Sequence, residues 1–178
     1  ALSNLGNAYS SKGEYLQAVK TFLKALEQNP DNPTTHYNLG IAYIQEGKTD
    51  LGIVQLNEMI RTANDDNESL DLKDKAALAI AYRYLQDGNY VGARESLLRV
   101  RLKGPYSNSA LLALSYSYYL NVQYQDALPA ALELHSRNPS DPAVQEAFLL
   151  ASRVYEDLGA NNQALSSYRV ATMTLRNQ

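Results

Sequence analysis

The first 31 residues, Ala1–Asp31, read ALSNLGNAYSSKGEYLQAVKTFLKALEQNPD and decide the fold. The landmarks of this stretch are Leu5, Gly6, Tyr9, Gly13, Tyr15, Ala18, Phe22, Ala25 and Pro30. Four of them return 34 residues later as Leu39, Gly40, Tyr43 and Gly47. Self-similarity at a fixed period indicates a repeat architecture.

The spacing of the landmarks predicts two helices in this stretch. Apolar residues recur every three or four positions on each side of Gly13, which is typical of amphipathic helices. We expect Gly13 to end the first helix, because glycine readily adopts the left-handed backbone of a helix C-terminus. The small residues Gly6 and Ala18 predict that the two helices approach each other closely. Asn32-Pro33 and Asp141-Pro142 predict helix starts, with a capping side chain before a proline.

These residues resemble the tetratricopeptide repeat (TPR) family of helix-turn-helix units. The resemblance implies an all-α fold, a right-handed α-α superhelix (solenoid), with residues 1–178 forming a single array. We assign five repeats, to residues 1–32, 33–66, 70–106, 107–140 and 141–176. A polar insert loop is predicted at residues 62–69. The fourth repeat has Asn121-Val122 where glycine is usual, and we expect Asn121 to take the left-handed conformation.

Composition and charge exclude several classes of function. The net charge of −3 is unlike that of a nucleic-acid-binding domain, which is normally basic. No run of about 18 apolar residues exists, so no membrane span is expected. The absence of cysteine removes disulfides and thiolate chemistry and fits both reducing and oxidising compartments, so bacterial cytoplasm and periplasm both stay open. The chain begins with Ala1 inside a helical pattern, which we interpret as a fragment or a processed form.

The resemblance implies that the first helix of each repeat lines a concave groove. By helical spacing the predicted partner-binding residues are Asn7, Thr34, Tyr37, Asn38, Ile41, Gln45, Lys75, Leu78, Tyr82, Gln86, Leu112, Tyr116, Tyr119 and Arg153. The groove would have a polar end, an aromatic and aliphatic middle, and a charged end with Glu146, Glu156 and Asp157. Tyrosine suits such a surface, since it buries a large area and keeps a hydroxyl for hydrogen bonding. The alternative is that some of these side chains only pack against a neighbouring repeat.

Some members of the family hold a C-terminal carboxylate in a clamp of lysines, asparagines and an arginine. Asn7, Asn38 and Lys75 fall at matching positions, whereas Ser3 and Ala79 replace two of the charged residues. We therefore expect no strong carboxylate clamp. Asparagine is also an ordinary residue at these positions of the repeat.

No catalytic or cofactor-binding arrangement is predicted. Residues 42–49 match a relaxed phosphate-loop pattern, but they lie at a helix end with bulky side chains rather than after a strand. The acidic stretch 65–71 lacks the glycine and glutamate of a calcium loop. His36 and His135 are isolated, which gives a metal site little support.

The prediction is a non-catalytic scaffold that binds a protein or peptide in its groove, without a cofactor, metal or nucleic acid. Two alternatives stay open. The array could self-associate through its groove or its ends as an assembly platform, which makes a homo-oligomer possible. It could also be a regulatory module of a larger enzyme or of a secretion-linked protein. The sequence does not identify the partner.

Overall fold

The computed structural model describes residues 1–176, which contain ten α-helices and no strand. The helices are α1 (Leu2–Ser11), α2 (Tyr15–Gln28), α3 (Pro33–Gln45), α4 (Thr49–Thr62), α5 (Asn67–Gln86), α6 (Tyr90–Leu97), α7 (Ser107–Leu120), α8 (Tyr124–Leu134), α9 (Pro142–Asp157) and α10 (Asn161–Arg176). Three or four residues join most helices to the next, whereas residues 98–106 connect α6 to α7 and residues 135–141 connect α8 to α9. The predicted all-α helical repeat fold is confirmed.

The chain divides into two compact units, residues 1–80 and 81–178, with the boundary inside α5. In the first unit, α1 packs on α2, α2 on α3 and α3 on α4, and α1 also touches α3. In the second unit, each of α6 to α9 packs on its successor, and α7 also touches α9. The first helices of successive repeats therefore lie side by side within each unit, and their outer faces form a shared surface.

Glycines allow the close helix packing of the first unit. A Cβ atom added at Gly6 would lie 2.5 Å from the ring of Phe22, which is fully buried. A Cβ atom added at Gly40 would lie 2.8 Å from Cγ of Leu56 and 3.0 Å from the carbonyl oxygen of Gly52. Such distances leave no room for a side chain. The predicted close approach of the paired helices is thus confirmed in this unit.

Serines occupy the corresponding positions of the fourth and fifth repeats, in the second unit. Ser115 is fully buried and donates its hydroxyl to the carbonyl oxygen of Ala127 on α8, at 2.7 Å. Ser152 is also buried; its hydroxyl donates to the carbonyl oxygen of Phe148 at 2.9 Å and lies 2.8 Å from Oγ of Ser167 on α10. Buried hydroxyls need such partners, because an unsatisfied polar group in a core is costly.

The two predicted capping pairs form as expected. Asn32 accepts a hydrogen bond from the backbone N–H of Thr35 at 2.8 Å, and α3 begins at Pro33. Asp141 accepts one from the backbone N–H of Ala143 at 2.8 Å, and α9 begins at Pro142. These bonds satisfy N–H groups that have no partner inside the helix.

The turn of the fourth repeat differs from the prediction. Gly13, which we expected to be left-handed, has φ of +75°, and glycines fill the same place in three other repeats. In the fourth repeat Val122 takes this conformation, with φ of 60°, whereas Asn121 has φ of −87°. The expectation for Asn121 was wrong, because the left-handed residue is the second one after the helix. A β-branched residue is strained there.

The predicted insert loop at 62–69 is also shorter than expected. Helix α4 extends to Thr62, and α5 begins at Asn67, so only residues 63–66 connect them. Asp66 accepts hydrogen bonds from the backbone N–H and the hydroxyl of Ser69, each at 2.9 Å. The polar residues after Asp66 therefore form the first turn of a capped helix. The inserted residues lengthen α5 instead of forming a loop.

Candidate functional site

The outer surface of the first unit carries ordered polar side chains from α1, α3 and α5. Asn38 donates a hydrogen bond from Nδ2 to Oδ1 of Asn7 at 2.9 Å. The Nζ atom of Lys75 lies 5.0 Å from the ring centroid of Tyr37, a cation–π contact. We call these four residues the first-unit strip. Its amides and its ammonium group are aligned along adjacent helices, and they can serve as polar contacts for a ligand.

The other predicted residues of the first unit differ in exposure. Thr34 and Gln45 are exposed, and Ile41 is half-buried. Leu78 is only 7% exposed, so its assignment to the groove was wrong. Ala76, Ala77 and Leu78 are buried in succession, which shows that α5 is covered on more than one face. Helical spacing alone could not reveal this cover.

The second unit carries three tyrosine–carboxylate pairs, all of which reach α9. Tyr116 on α7 donates its hydroxyl to Oε1 of Glu146 at 2.6 Å. The two other pairs are Tyr119 Oη to Asp157 Oδ2 at 2.9 Å and Tyr168 Oη to Glu156 Oε2 at 3.1 Å. The pairs link α9 to α7 on one side and to α10 on the other.

An open cleft of about 580 Å³ lies beside these pairs. Its lining residues come from α7, α9 and α10: Tyr116, Pro142, Gln145, Glu146, Leu149, Leu150, Arg153 and Tyr168. Leu149 is 49% exposed and offers an apolar contact in the middle of the cleft. We call the three pairs together with Tyr82, Leu149 and Arg153 the second-unit strip.

Burial and the carboxylates keep the tyrosine hydroxyls protonated. Burial, followed by the hydrogen bond to Glu146, raises the pKa of Tyr116 to about 12. Burial and the adjacent carboxylate also raise the pKa of Tyr119 and that of Tyr168. Ionising either phenol would place a second negative charge beside an existing one. At neutral pH these groups therefore act as fixed donors that hold the carboxylates in place.

The remaining predicted residues of the second unit surround this strip. Tyr82 is 44% exposed, and burial, then the charge of Glu146, raise its pKa while a hydrogen bond to Ser109 lowers it. Gln86 is exposed, whereas Leu112 is half-buried and packs on the core beneath the cleft. Arg153 is exposed, and its positive charge partly opposes the rise in the pKa of Tyr116.

Sequence reasoning missed Tyr168. It occupies the repeat position of Phe22, which is fully buried, so the pattern assigned it to the scaffold. In the structure Tyr168 is 38% exposed and lines the cleft. Nothing in the periodicity distinguishes the two residues, because exposure at this position depends on what packs over it.

The arrangement shows no metal-binding cluster: residues 1–176 bring together no group of three or more histidine, cysteine, aspartate or glutamate side chains that could hold an ion. His36 is buried in a structural role, with Nδ1 2.8 Å from Oε1 of Gln55 and Nε2 2.7 Å from the carbonyl oxygen of Pro30. None of the helices within the described range is long and apolar enough to cross a membrane.

Comparison with known proteins identifies the repeats. A family model described as "TPR repeat" matches residues 6–47, and one described as "Tetratricopeptide repeat" matches residues 78–142. The chain belongs to the tetratricopeptide repeat family. This TPR chain is 40% identical over 48 residues to the photosystem I assembly protein Ycf3 of Synechococcus sp. (strain CC9311), a match that covers 27% of the chain and 28% of that protein.

Other similar proteins share the architecture. The TPR repeat-containing protein MJ1428 of Methanocaldococcus jannaschii is 28% identical over 99 residues, which are 53% of the chain and 18% of that protein. The chain thus spans about a quarter or less of the length of these curated relatives. The crystal structure of MamA superposes with a TM-score of 0.75 at 19% identity, covering 97% of this chain and 95% of that one. These likenesses support a protein-interaction or assembly scaffold built on helical repeats.

Proposed function

We propose that this TPR protein is a non-catalytic scaffold that binds segments of other proteins on exposed strips, one in each unit, with the second-unit strip as the main anchor. The observation that carries the proposal is the set of partly exposed tyrosines beside an open cleft, each held by a carboxylate on α9. Members of this family are typically scaffolds rather than enzymes.

The physical basis is preorganisation. The hydroxyls of Tyr116 and Tyr119, on α7, are held by hydrogen bonds to carboxylates of α9. Their side chains therefore lose little rotamer entropy when a ligand binds. Their rings, with Tyr82 and Leu149, supply apolar area for the ligand's side chains. Tyrosine is among the residues that most often dominate the binding energy of interfaces.

The first-unit strip supplies polar rather than apolar contacts in this proposal. Asn7 and Asn38 form one hydrogen bond with each other and keep further donors and acceptors for a ligand backbone. Lys75, held over the ring of Tyr37, offers an ammonium group to an acceptor. Ycf3 is named as an assembly protein, and a scaffold that gathers partners on such strips is consistent with a role of that kind.

An affinity pull-down from a lysate of the source cell tests the proposal. The wild type is compared with Tyr82→Ala/Tyr116→Ala, and circular dichroism confirms that both proteins are folded. The matched control is Val91→Ala/Leu132→Ala, which removes exposed apolar groups from the second helices α6 and α8 of the same unit. We expect a specific protein to be retained by the wild type and by the control, and to be lost from the tyrosine variant. Equal retention by all three proteins would contradict binding at this strip.

The self-association alternative has its own test. Sedimentation velocity at several protein concentrations measures whether the mass rises with concentration. A constant monomer mass together with a tyrosine-dependent partner would favour the scaffold proposal. A mass that rises with concentration in the wild type and not in Tyr82→Ala/Tyr116→Ala would mean that a second copy occupies the strip.

A further inference from the structure

The charges of the second-unit strip are not balanced. Glu146, Glu156 and Asp157 contribute three negative charges, and Arg153 contributes one positive charge. None of the three carboxylates forms a salt bridge with any side chain in residues 1–176; each accepts a tyrosine hydroxyl instead. A hydroxyl orders a carboxylate without neutralising it.

The neighbouring helices α5 and α7 do not compensate for this imbalance. Helix α7, which faces the cleft, has no charged residue at all. On α5, Arg83 is paired with Asp87 at 2.8 Å. On α10, Arg169 and Arg176 line a neighbouring surface that shares Tyr168 with the cleft. The second-unit strip as a whole therefore holds three exposed carboxylates against the single cation of Arg153, although the cleft itself is lined by Glu146 and Arg153 alone among charged residues.

Glu146 lines the cleft, and Glu156 and Asp157 follow Arg153 on the same helix, outside the lining of the cleft. The residues of α9 that line it, from Pro142 to Arg153, follow one face of the helix, so the cleft runs along α9. Glu146 and Glu156 are ten residues apart on that helix, which corresponds to about 15 Å at the helical rise. An extended peptide covers this distance with about four or five residues. Leu149 lies between Glu146 and Glu156 on that helix.

We propose that the segment bound on the second-unit strip is basic: it places one lysine or arginine near Glu146 and another, about four or five residues away, near Glu156 and Asp157. An apolar side chain between them contacts Leu149 and the tyrosine rings. This inference rests on the proposed function and adds the chemistry of the partner. The ligand's cations would approach carboxylates that the tyrosine hydroxyls already orient. This electrostatic complementarity would raise both the specificity of binding and the association rate.

An acidic partner fits the same surface less well. Arg153 is the one basic side chain of the second-unit strip, which also contains the carboxylates of Glu146, Glu156 and Asp157. An acidic segment would gain one favourable contact and incur repulsion from three groups. Arg153 is better suited to donate hydrogen bonds to backbone carbonyl oxygens of the ligand, which carry no net charge.

Selection from a random dodecapeptide library tests the inference with the full chain. Peptides are retained on the wild type and counter-selected on Tyr82→Ala/Tyr116→Ala, and the enriched sequences are synthesised with blocked termini. Affinity is measured by fluorescence anisotropy at low and at high NaCl. We expect enrichment of two basic residues four or five positions apart, and binding that weakens as salt rises.

A charge-neutral variant separates charge from shape. Glu146→Gln/Glu156→Gln/Asp157→Asn keeps an oxygen that can accept each tyrosine hydroxyl, and it should bind an enriched peptide about tenfold more weakly with little salt dependence. Arg153→Gln should bind it about two- to threefold more tightly. The matched control, Glu95→Gln/Asp126→Asn/Glu133→Gln, removes three negative charges from α6 and α8 and should change affinity by less than about twofold.

The outcomes distinguish the two proposals. Tyrosine-dependent peptides that lack basic residues, or that bind the charge-neutral variant as tightly as the wild type, would overturn the inference and leave the proposed function standing. Acidic peptides that are lost in Arg153→Gln would overturn it in the same way. If no enriched peptide depends on Tyr82 and Tyr116, both proposals fail.

Discussion

The two units solve the same packing problem with different chemistry. Where the first helix of a repeat meets the second, the first unit uses glycine, and the facing side chain of Phe22 or Leu56 fills the space. The second unit uses Ser115 and Ser152, whose hydroxyls are satisfied by backbone or side-chain oxygen atoms. This position of the repeat thus requires a small residue. A glycine there is packed against by a large side chain of the second helix, whereas a serine there makes a hydrogen bond that satisfies its hydroxyl.

The exposed strips differ in the same way. The first-unit strip is polar, with an amide pair and a lysine over a ring. The second-unit strip combines aromatic rings with carboxylates that have no cationic partner within residues 1–176. We therefore propose the second-unit strip as the stronger anchor, because rings offer more buried area and unneutralised charges offer more selectivity.

The largest predicted effect concerns the glycine packing of the first unit. Gly40→Ala should lower the free energy of unfolding by about 2–3 kcal/mol, because the new methyl group would collide with Leu56 and with backbone at Gly52. Ser115→Ala, at the matched position of the second unit, should cost about 1 kcal/mol through the lost hydrogen bond. Urea denaturation followed by circular dichroism measures both. If both substitutions lowered the free energy of unfolding equally, the proposed difference between glycine packing in the first unit and serine hydrogen bonding in the second would not hold.

The next prediction compares the two strips in binding. Tyr82→Ala/Tyr116→Ala should weaken the affinity for a groove-bound peptide by about 30-fold, which is typical of removing interface anchors. Tyr37→Ala/Asn38→Ala, in the first unit, should weaken the affinity for a peptide bound on the first-unit strip by about threefold, since an exposed polar contact contributes less. Isothermal titration calorimetry, with one peptide for each strip, provides both values. A larger loss in the first-unit variant would assign the main anchor to that unit instead.

A smaller effect is expected at the strained turn. Val122→Gly should raise the free energy of unfolding by about 1 kcal/mol, because it relieves a left-handed β-branched residue at some cost in chain entropy. Gly88→Val makes the reverse change in the same unit; a Cβ atom there meets nothing within 4 Å, so only backbone strain would lower its stability. Thermal melts of both variants measure the shifts. A destabilised Val122→Gly protein would mean that valine contributes a contact that outweighs its strain.

The smallest predicted effect is a pH dependence in the second unit. His135 stacks on Phe148 with ring centroids 4.0 Å apart, and burial lowers its pKa while a hydrogen bond to the backbone of Ala147 opposes the shift. The unfolded state therefore binds a proton more readily, so this histidine makes stability fall as the pH drops below about 6.5. His135→Phe keeps a stacked ring and removes the titration.

Unfolding of the wild type and of His135→Phe at pH 7.5 and pH 5.5 tests this prediction. The variant should lose less stability than the wild type between the two pH values. His36 is present in both proteins, so its contribution cancels in the comparison. A parallel loss in the two proteins would show that His135 titrates equally in the folded and unfolded states.

The sequence predicted what depends on local pattern. The recurrence of Gly6 as Gly40, the helix-ending Gly13 and the two capping pairs all follow from spacing and from the conformational preferences of single residues. Tyr116, Tyr119 and Arg153 were placed on one face by helical geometry, and the structure brings them to one strip. Their role in binding stays a prediction.

Other features depend on contacts that no pattern encodes. Periodicity does not tell how far a helix continues through polar residues, so the start of α5 at Asn67 was missed. It does not tell which faces of a helix are covered, which is why Leu78 was placed at the surface and Tyr168 in the core. Both errors concern environment rather than secondary structure.

By itself, the sequence determined the repeat, the helix pairs and the small residues between them, because a fixed period and steric preference act within short stretches of chain. Only the tertiary structure decided which side chains stay exposed and which tyrosine meets which carboxylate. Those pairings join Tyr116 with Glu146 and Tyr119 with Asp157, whose side chains lie on different helices. Helix packing sets their distances, and with them the row of tyrosine–carboxylate pairs along α9.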